Sequence, residues 1–481
     1  MNNSPPNSKS PSEKILKQYF GFGSFREGQK EIVDSIIAGK DTLAIRSTGS
    51  GKSICFQVPA LYFPHLTLVI SPLISLMSDQ VQALIRKNIP ATFINSTLPP
   101  DEIKSRTQNL VEHKYKLLYL SPEKLESANF AKLLTTIPIS FIAVDESHCI
   151  SMWGHDFRPS YTKIPNFTSL LNPRPVIAAL TATATTHIAN DIVHCLKLHQ
   201  PVVFKQSSLR TNLQLNVIEC NSPAIKQLYL LKLLLKHSND SGIIYCSTRK
   251  ETEKVADLIN KLNLNQILTQ TPVLAYHGGQ DSAQRDEVQT AFIHDQTKLI
   301  AATNAFGMGV DKSNIRFVIH YQLPANIENY YQEVGRAGRD GDQSNCYLLF
   351  HQKDAMIQEG MISQTAVERV KIEKQKLKQL LDMVLGEDCL QKKLATYFGD
   401  QLDDNCGVCS NCQPPTIFFS QEEQDRWNNI QQDELLQKLP HQLQLLITLI
   451  NPSSQAQWIK LPGVGEGLRK ELKQSCYNTF L

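Results

Sequence analysis

The chain is expected to be α/β, with two parallel-sheet domains followed by a helical metal-binding module and a short helical tail. Three observations predict this. Apolar strand-like runs alternate with amphipathic helical segments over two long stretches, four cysteines cluster late in the chain, and the end is glutamine-rich with helical periodicity. A length of 481 residues suits about three domains of ~150 residues, each able to bury a core.

The first domain is placed at 13–206, with strands at 42–45, 66–70, 116–120, 141–144 and 176–180. Each is a short apolar run bounded by turn residues and separated from the next by a helical pattern, which is the signature of strands buried on both faces. A polar segment, 207–215, leads to a second domain at 216–352, with strands at 243–246, 273–276, 298–301 and 317–320. Ligands of open α/β sheets bind at the carboxyl ends of the strands, where the polar motifs of both halves fall. Residues 353–415 read as the helical metal-binding domain and 416–481 as the tail; 1–12, polar and proline-rich, read as disordered.

The 41% hydrophobic and 20% charged fractions are those of an ordinary globular protein, and a net charge of +3 does not by itself demand a nucleic-acid partner. No run of about 18 apolar residues is present, so a membrane span is not expected, and the start lacks a signal peptide's apolar core. A cytoplasmic location is the expectation. Of the eleven cysteines, several lie in apolar runs as small core residues, whereas Cys389, Cys406, Cys409 and Cys412 cluster. In a reducing compartment such a cluster means a metal before a disulfide.

Directly after strand 42–45 comes RSTGSGKS, residues 46–53. A loop containing Thr48, Gly49, Ser50 and Gly51 can turn its N–H groups around phosphates, with Lys52 reaching the outer phosphates and Ser53 binding Mg²⁺. Arg46 stands where the usual pattern has its first glycine. Strand 141–144 ends in Asp145-Glu146-Ser147-His148. Two carboxylates at a buried strand mouth are costly unless a cation uses them. Asp145 then holds Mg²⁺ and Glu146 deprotonates an attacking water. Upstream, the Gln29 amide can both donate to and accept from an adenine edge, and Phe22 or Arg26 can stack on the ring. Arg336 and Arg339, three residues apart on an expected helix face, suit a phosphoryl group as arginine fingers.

Gln29, RSTGSGKS, SPLISLMSDQ (71–80), DESH (145–148), ALTATA (179–184), YHGG (276–279), ATNAFGMGVDK (302–312) and QEVGRAGRDG (332–341) stand in the order of superfamily-two helicase motifs. The segment from Cys149 to Pro159 resembles the aromatic-rich loop of RecQ DNA helicases, and the resemblance covers roughly residues 15 to 412. It implies two RecA-like domains. It implies adenine recognition by Phe22, Arg26 and Gln29, phosphate and Mg²⁺ work by Gly49, Gly51, Lys52 and Ser53, and water activation by Asp145 and Glu146. His148 would couple the site to DNA, and Arg336 and Arg339 would sense the γ-phosphate of ATP. Trp153, His155, Phe157 and Arg158 would contact single-stranded DNA, for which aromatic faces and an arginine are chemically apt. The competing reading of Trp153 and Phe157 is as core aromatics.

Cys389 is followed by sixteen residues and then Cys406-x-x-Cys409-x-x-Cys412. Four thiolates close a tetrahedral site with no open position, so the metal is structural; by spacing alone Zn²⁺ and an iron–sulfur cluster both remain open. The family resemblance implies Zn²⁺. RecQ relatives often continue into a winged-helix and a further helical domain, for which the residues from Gln413 to Leu481 are too short at ordinary domain sizes. Within them LPGVGEGL (461–468) resembles the turn of a helix-hairpin-helix motif. The expected function is an ATP-dependent 3′ to 5′ DNA helicase of RecQ type, acting on single-stranded DNA and duplex junctions in recombination, repair or replication. The alternatives are an RNA helicase and a zinc-stabilised DNA-binding scaffold with a degenerate ATP site, the latter resting on Arg46.

Overall fold

A computed structural model describes residues 10–47, 49–72, 74–95, 97–154, 156–262, 268–307, 312–414, 420–437, 439 and 441–450. The chain divides into two compact units, residues 1–209 with 395–401, and residues 210–394 with 402–481.

The first unit is built on seven strands, β1 (Thr42–Ile45), β2 (Leu66–Ile70), β3 (Ala91–Ile94), β4 (Leu117–Leu120), β5 (Ile139–Val144), β6 (Val176–Thr181) and β7 (Val202–Lys205). They form one parallel sheet in the order β3-β4-β2-β5-β6-β1-β7. Side-chain alternation splits its core in two. Leu43, Ile45, Leu68, Ile70, Ile142 and Val144 face one helical layer; Ala44, Val69, Phe141 and Ala143 face the other. With both faces covered, β1, β2 and β4 are buried throughout, which is why they read as unbroken apolar runs. Ser10–Ser12, expected within a disordered tail, are ordered instead. Ser10 caps the helix Pro11–Ile15, its hydroxyl accepting from Glu13 N while its own N–H donates to the Glu13 carboxylate.

The second unit holds β8 (Leu213–Glu219), β9 (Ser241–Tyr245), β10 (Leu274–Tyr276), β11 (Leu299–Ala302), β12 (Ile315–His320) and β13 (Ser344–Phe350). This sheet is also fully parallel, in the order β10-β11-β9-β12-β13-β8. Part of the segment expected to be a polar connector is therefore strand, since β8 starts at Leu213. Its helices begin where the sequence supplies caps: Ser222 accepts from Ile225 N ahead of Pro223–Lys236, and Asn326 accepts from Asn329 N ahead of Ile327–Val334.

Beyond β13 come the helices Gln352–Ile362, Val367–Val384 and Leu390–Tyr397, and then the cysteine cluster. In the tail, the helices Gln421–Gln432 and His441–Ile450 fold back on the second unit. Ile430, Leu436, Leu439, Leu445 and Ile447 are buried in one core with Leu230, Leu234 and Ile259. Among the described residues no helix is long and apolar enough to cross a membrane.

Candidate nucleotide site and metal centre

Strands β5, β6 and β1 are neighbours in the first sheet, so the segments leaving their carboxyl ends lie side by side. From β1 comes the phosphate-type loop. The Arg46 guanidinium turns away from it, is 3% exposed, and donates through Nη2 to Glu27 O at 2.8 Å. The arginine that breaks the glycine pattern thus holds the preceding turn and leaves the loop's backbone clear. Gly51 opens the helix Lys52–Tyr62 at φ 79°, and a Cβ there would come within 2.5 Å of Gln29 Nε2. Both demands restrict the position to glycine.

Gln29 Nε2 donates to Ser50 O (3.1 Å) and Gly51 O (3.0 Å), while its Oε1 accepts from Arg26 N (2.8 Å). Arg26 Nη1 donates to Gly49 O at 2.8 Å. Of the side chains expected at adenine, Arg26 and Gln29 are therefore tied to the loop's carbonyls. Phe22 is 52% exposed. Lys52 Nζ reaches Arg46 O at 3.3 Å, and Ser53 Oγ accepts from Gln80 Nε2 at 3.4 Å. Thr48 lies outside the described residues.

From β5 comes Asp145, 6% exposed. Burial pushes its carboxyl above the usual range, opposed by the Lys52 charge and the Glu146 amide. A cation beside it would favour the ionised form. Glu146 sits at φ 46°, a left-handed conformation that is strained for a residue carrying a Cβ, and such residues cluster at functional turns. Its Oε2 is 3.3 Å from His148 Nδ1, and Nδ1 is 2.9 Å from Thr181 Oγ1 at the end of β6. The Thr181 hydroxyl donates to Thr183 O, so the histidine donates to the threonine and carries its proton on Nδ1. Nε2 is left to accept from the Cys149 thiol at 3.7 Å.

Tyr161, fully buried, donates its hydroxyl to Asp145 O at 2.9 Å. Sequence reasoning missed it, because a tyrosine just past the aromatic segment carries no pattern of its own. Of the residues expected at DNA, Trp153 is half-buried with its ring 5.2 Å from that of His187, and Phe157 is half-buried. Arg158 pairs with Asp156 at 3.0 Å and donates to Pro72 O at 3.1 Å. His155 lies outside the described residues.

In the second unit the two arginines do not share a helix face as expected. The helix Ile327–Val334 stops at Gly335, and Arg336 and Arg339 follow in a turn that includes Gly338 at φ 58°. The helix thus ends before either arginine, with Gly335 as its C-cap. Arg336 is 5% exposed, and its guanidinium donates to Gly307 O; it fills the space a Cβ on Gly307 would need, at a φ of 132° that no other residue adopts readily. Burial pushes the Tyr245 hydroxyl up to about 12, although the adjacent Arg336 pulls the other way. Arg339 is half-buried.

The ligand atoms of Cys389, Cys406, Cys409 and Cys412 lie within 4.8 Å of one another. Backbone amides point at the sulfurs, from Cys406 to Cys389 Sγ (3.3 Å), from Cys409 to Cys406 Sγ (3.3 Å) and from Leu390 to Cys409 Sγ (3.4 Å). Burial raises the Cys389 thiol, but the Cys406 and Lys392 amides outweigh it and bring it down to about 7. Four convergent sulfurs with amide support fit a closed tetrahedral ion.

Three family models match in sequence: DEAD/DEAH box helicase over residues 26–192, Helicase conserved C-terminal domain over 225–341, and RecQ zinc-binding over 352–413. The ATP-dependent DNA helicase RecQ of Bacillus subtilis is 44% identical over 403 residues, covering 83% of this chain and 66% of that protein. The probable ATP-dependent DNA helicase RecS of the same organism is 43% identical over 356 residues, covering 74% and 70%. A putative ATP-dependent RNA helicase of Acanthamoeba polyphaga mimivirus is 38% identical over 438 residues, covering 89% and 78%. Two RecA-like sheets, each with its motif set, followed by a four-cysteine module define a superfamily-two helicase core, and the chain belongs to the RecQ family. It spans about two thirds of the length of the bacterial RecQ proteins it matches, 66% and 62% for two of them. A crystal structure of the helicase MrfA bound to DNA and AMPPNP shares the fold, with a TM-score of 0.61 at 17% identity over 83% of this chain and 59% of that one.

Proposed function

We propose that the chain is an ATP-dependent DNA helicase that moves 3′ to 5′ along single-stranded DNA and opens duplex junctions. The observation that carries the reading is the His148–Thr181 bond, which ties the carboxylate pair leaving β5 to the end of β6, one strand from the phosphate loop. In this reading the loop amides and Lys52 bind the phosphates, and Ser53 and Asp145 hold Mg²⁺, which when bound neutralises phosphate charge. Glu146 takes the proton of the attacking water. Arg336 and Arg339 stabilise charge on the transferred phosphoryl group. Phe22, Arg26 and Gln29 border the adenine. Trp153, His155, Phe157 and Arg158 meet the DNA strand, and His148 relays its presence to Glu146. The domain division at 206, 216, 352 and 415 belongs to this proposal, as does a structural Zn²⁺ on the four cysteines.

The test is unwinding of duplexes carrying a single-stranded overhang at one end. Separation from a 3′ overhang and not a 5′ one is expected, and the reverse overturns the polarity. Lys52→Ala is expected to lower DNA-stimulated hydrolysis at least about 100-fold while sparing DNA binding; an unchanged rate removes the motor reading. The relation to a mimiviral protein named as a putative RNA helicase favours one second reading. Stimulation of hydrolysis by RNA equal to that by single-stranded DNA would support it.

A further inference from the structure

The helix Ile327–Val334 runs into the turn that carries Arg336 and bears two buried carboxylates. Near its end, Glu333 Oε2 meets His320 Nε2 of β12 at 2.7 Å. In its first turn, Glu328 Oε1 meets Lys376 Nζ at 3.0 Å, with side-chain exposures of 1% and 3%. Lys376 comes from the helix Val367–Val384, which leads towards the cysteine cluster. Lys376 Nζ and both Glu328 oxygens make no hydrogen bond among the described residues, so the contact is an ion pair only. Each charge is therefore the other's compensation.

From this geometry we infer that Lys376, outside every helicase motif, is a positioning residue for Arg336. The inference rests on the reading that Arg336 takes part in hydrolysis. An eight-residue helix has little stability of its own, so its orientation is set by what holds it. Glu328 and Glu333 project about 140° apart around its axis, so two anchors on different faces fix both its tilt and its rotation. Arg336 lies two residues past the helix end, and its guanidinium is seated against Gly307 O and beside Tyr245. A small rotation of the helix withdraws it. Deprived of Lys376, the Glu328 carboxylate is a buried unpaired charge, and the helix must shift to bring it to water. The helix that precedes the metal centre would thereby set the hydrolytic arginine without touching nucleotide.

The test is a kinetic cycle on the full chain with saturating single-stranded DNA, comparing wild type, Lys376→Met, Arg336→Ala and the double variant. Lys376→Met is expected to lower kcat for ATP about tenfold while KM moves less than about twofold, the pattern of an interaction felt in the transition state. In the Arg336→Ala background the same substitution should change the rate by less than about twofold, because its route to the chemistry is gone. A role confined to packing predicts the full loss in both backgrounds, and that result overturns the proposal, as does a Lys376→Met rate within twofold of wild type. A wild-type rate for Arg336→Ala would overturn the hydrolysis reading itself along with the inference, so the two failures are distinguishable. Should Lys376→Met not fold, Glu328→Gln/Lys376→Met strands no charge but still removes the anchor; a fall in kcat confined to the background with Arg336 intact is expected, and a rate within twofold of wild type overturns the proposal.

Discussion

Asp400 shows how much one side chain can gather at the residue scale. Its Oδ2 accepts from Ser208 N and Oγ, both at 2.6 Å, and its Oδ1 lies 2.9 Å from Lys205 Nζ. Burial alone would raise this carboxyl; the Ser208 hydrogen bonds and the Lys205 charge outweigh it and hold it below the usual range. A depressed folded value means that the unfolded chain binds the proton more readily, so the stabilisation is present above the ordinary carboxyl range and fades as pH falls through the folded one. Asp400→Asn is expected to cost about 1–2 kcal/mol at neutral pH. Urea midpoints should show the same gap from wild type at pH 7 and pH 5 and a smaller one below about pH 4. A gap that persists undiminished in acid would mean that the charge contributes nothing. Residues of this kind were illegible in the sequence, because Ser208 and Asp400, like Glu328 and Lys376, meet only through the fold. Lys52, Asp145 and Glu146 were legible because their chemistry is confined to a strand end and the turn after it. Arg46 was legible as a departure but not in its effect, since nothing local tells that its guanidinium turns back to Glu27.

Among elements, most strands expected from the sequence are largely buried, although β10 is half-buried. The interior strand β13, which opens on the polar pair Ser344-Asn345, was missed, and the other three missed strands have structural reasons to look polar or short. Strand β7 is a half-exposed edge, and β8, also an edge, alternates apolar and polar side chains in Leu-Gln-Leu-Asn-Val. Strand β3 is four residues long and follows a proline. An edge strand must be covered or it templates aggregation. For β8 the cover is the cysteine module. Ser410 N donates to Leu215 O (2.9 Å), Val217 N donates to Ser410 Oγ (3.1 Å), and Gln391 Nε2 donates to Leu213 O (3.0 Å). Ser410 sits between two of the four cysteines, so a metal bound by them would hold the capping loop in place. Stripping Zn²⁺ with a chelator is expected to release β8. Amide exchange over residues 213–219 should quicken by about tenfold or more, with aggregation following at raised temperature. Unchanged protection in the metal-free protein would show that the loop keeps its place without an ion.

On the scale of the whole molecule, the sequence placed the tail after the metal module as helical but could not say where it goes. Periodicity identifies which face of a helix is apolar and leaves its partner undetermined. In the structure the helices Gln421–Gln432 and His441–Ile450 lie against Pro223–Lys236, with Lys232 paired to Glu423 and His441 to Gln227. The tail therefore completes the second unit's core, whatever residues 461–468, which lie outside the described residues, contribute. Five buried aliphatic side chains at roughly 1.5–3 kcal/mol each give an upper bound near 7–15 kcal/mol, most of it offset by the entropy of ordering the segment. Truncation after residue 414 removes that burial and is expected to lower the melting temperature of the second unit by roughly 5–10 °C. The same truncation uncovers Leu230, Leu234 and Ile259, so binding of a hydrophobic dye below the transition should rise. A truncated protein that melts at the wild-type temperature and binds no more dye would show that the second unit's core closes without these helices.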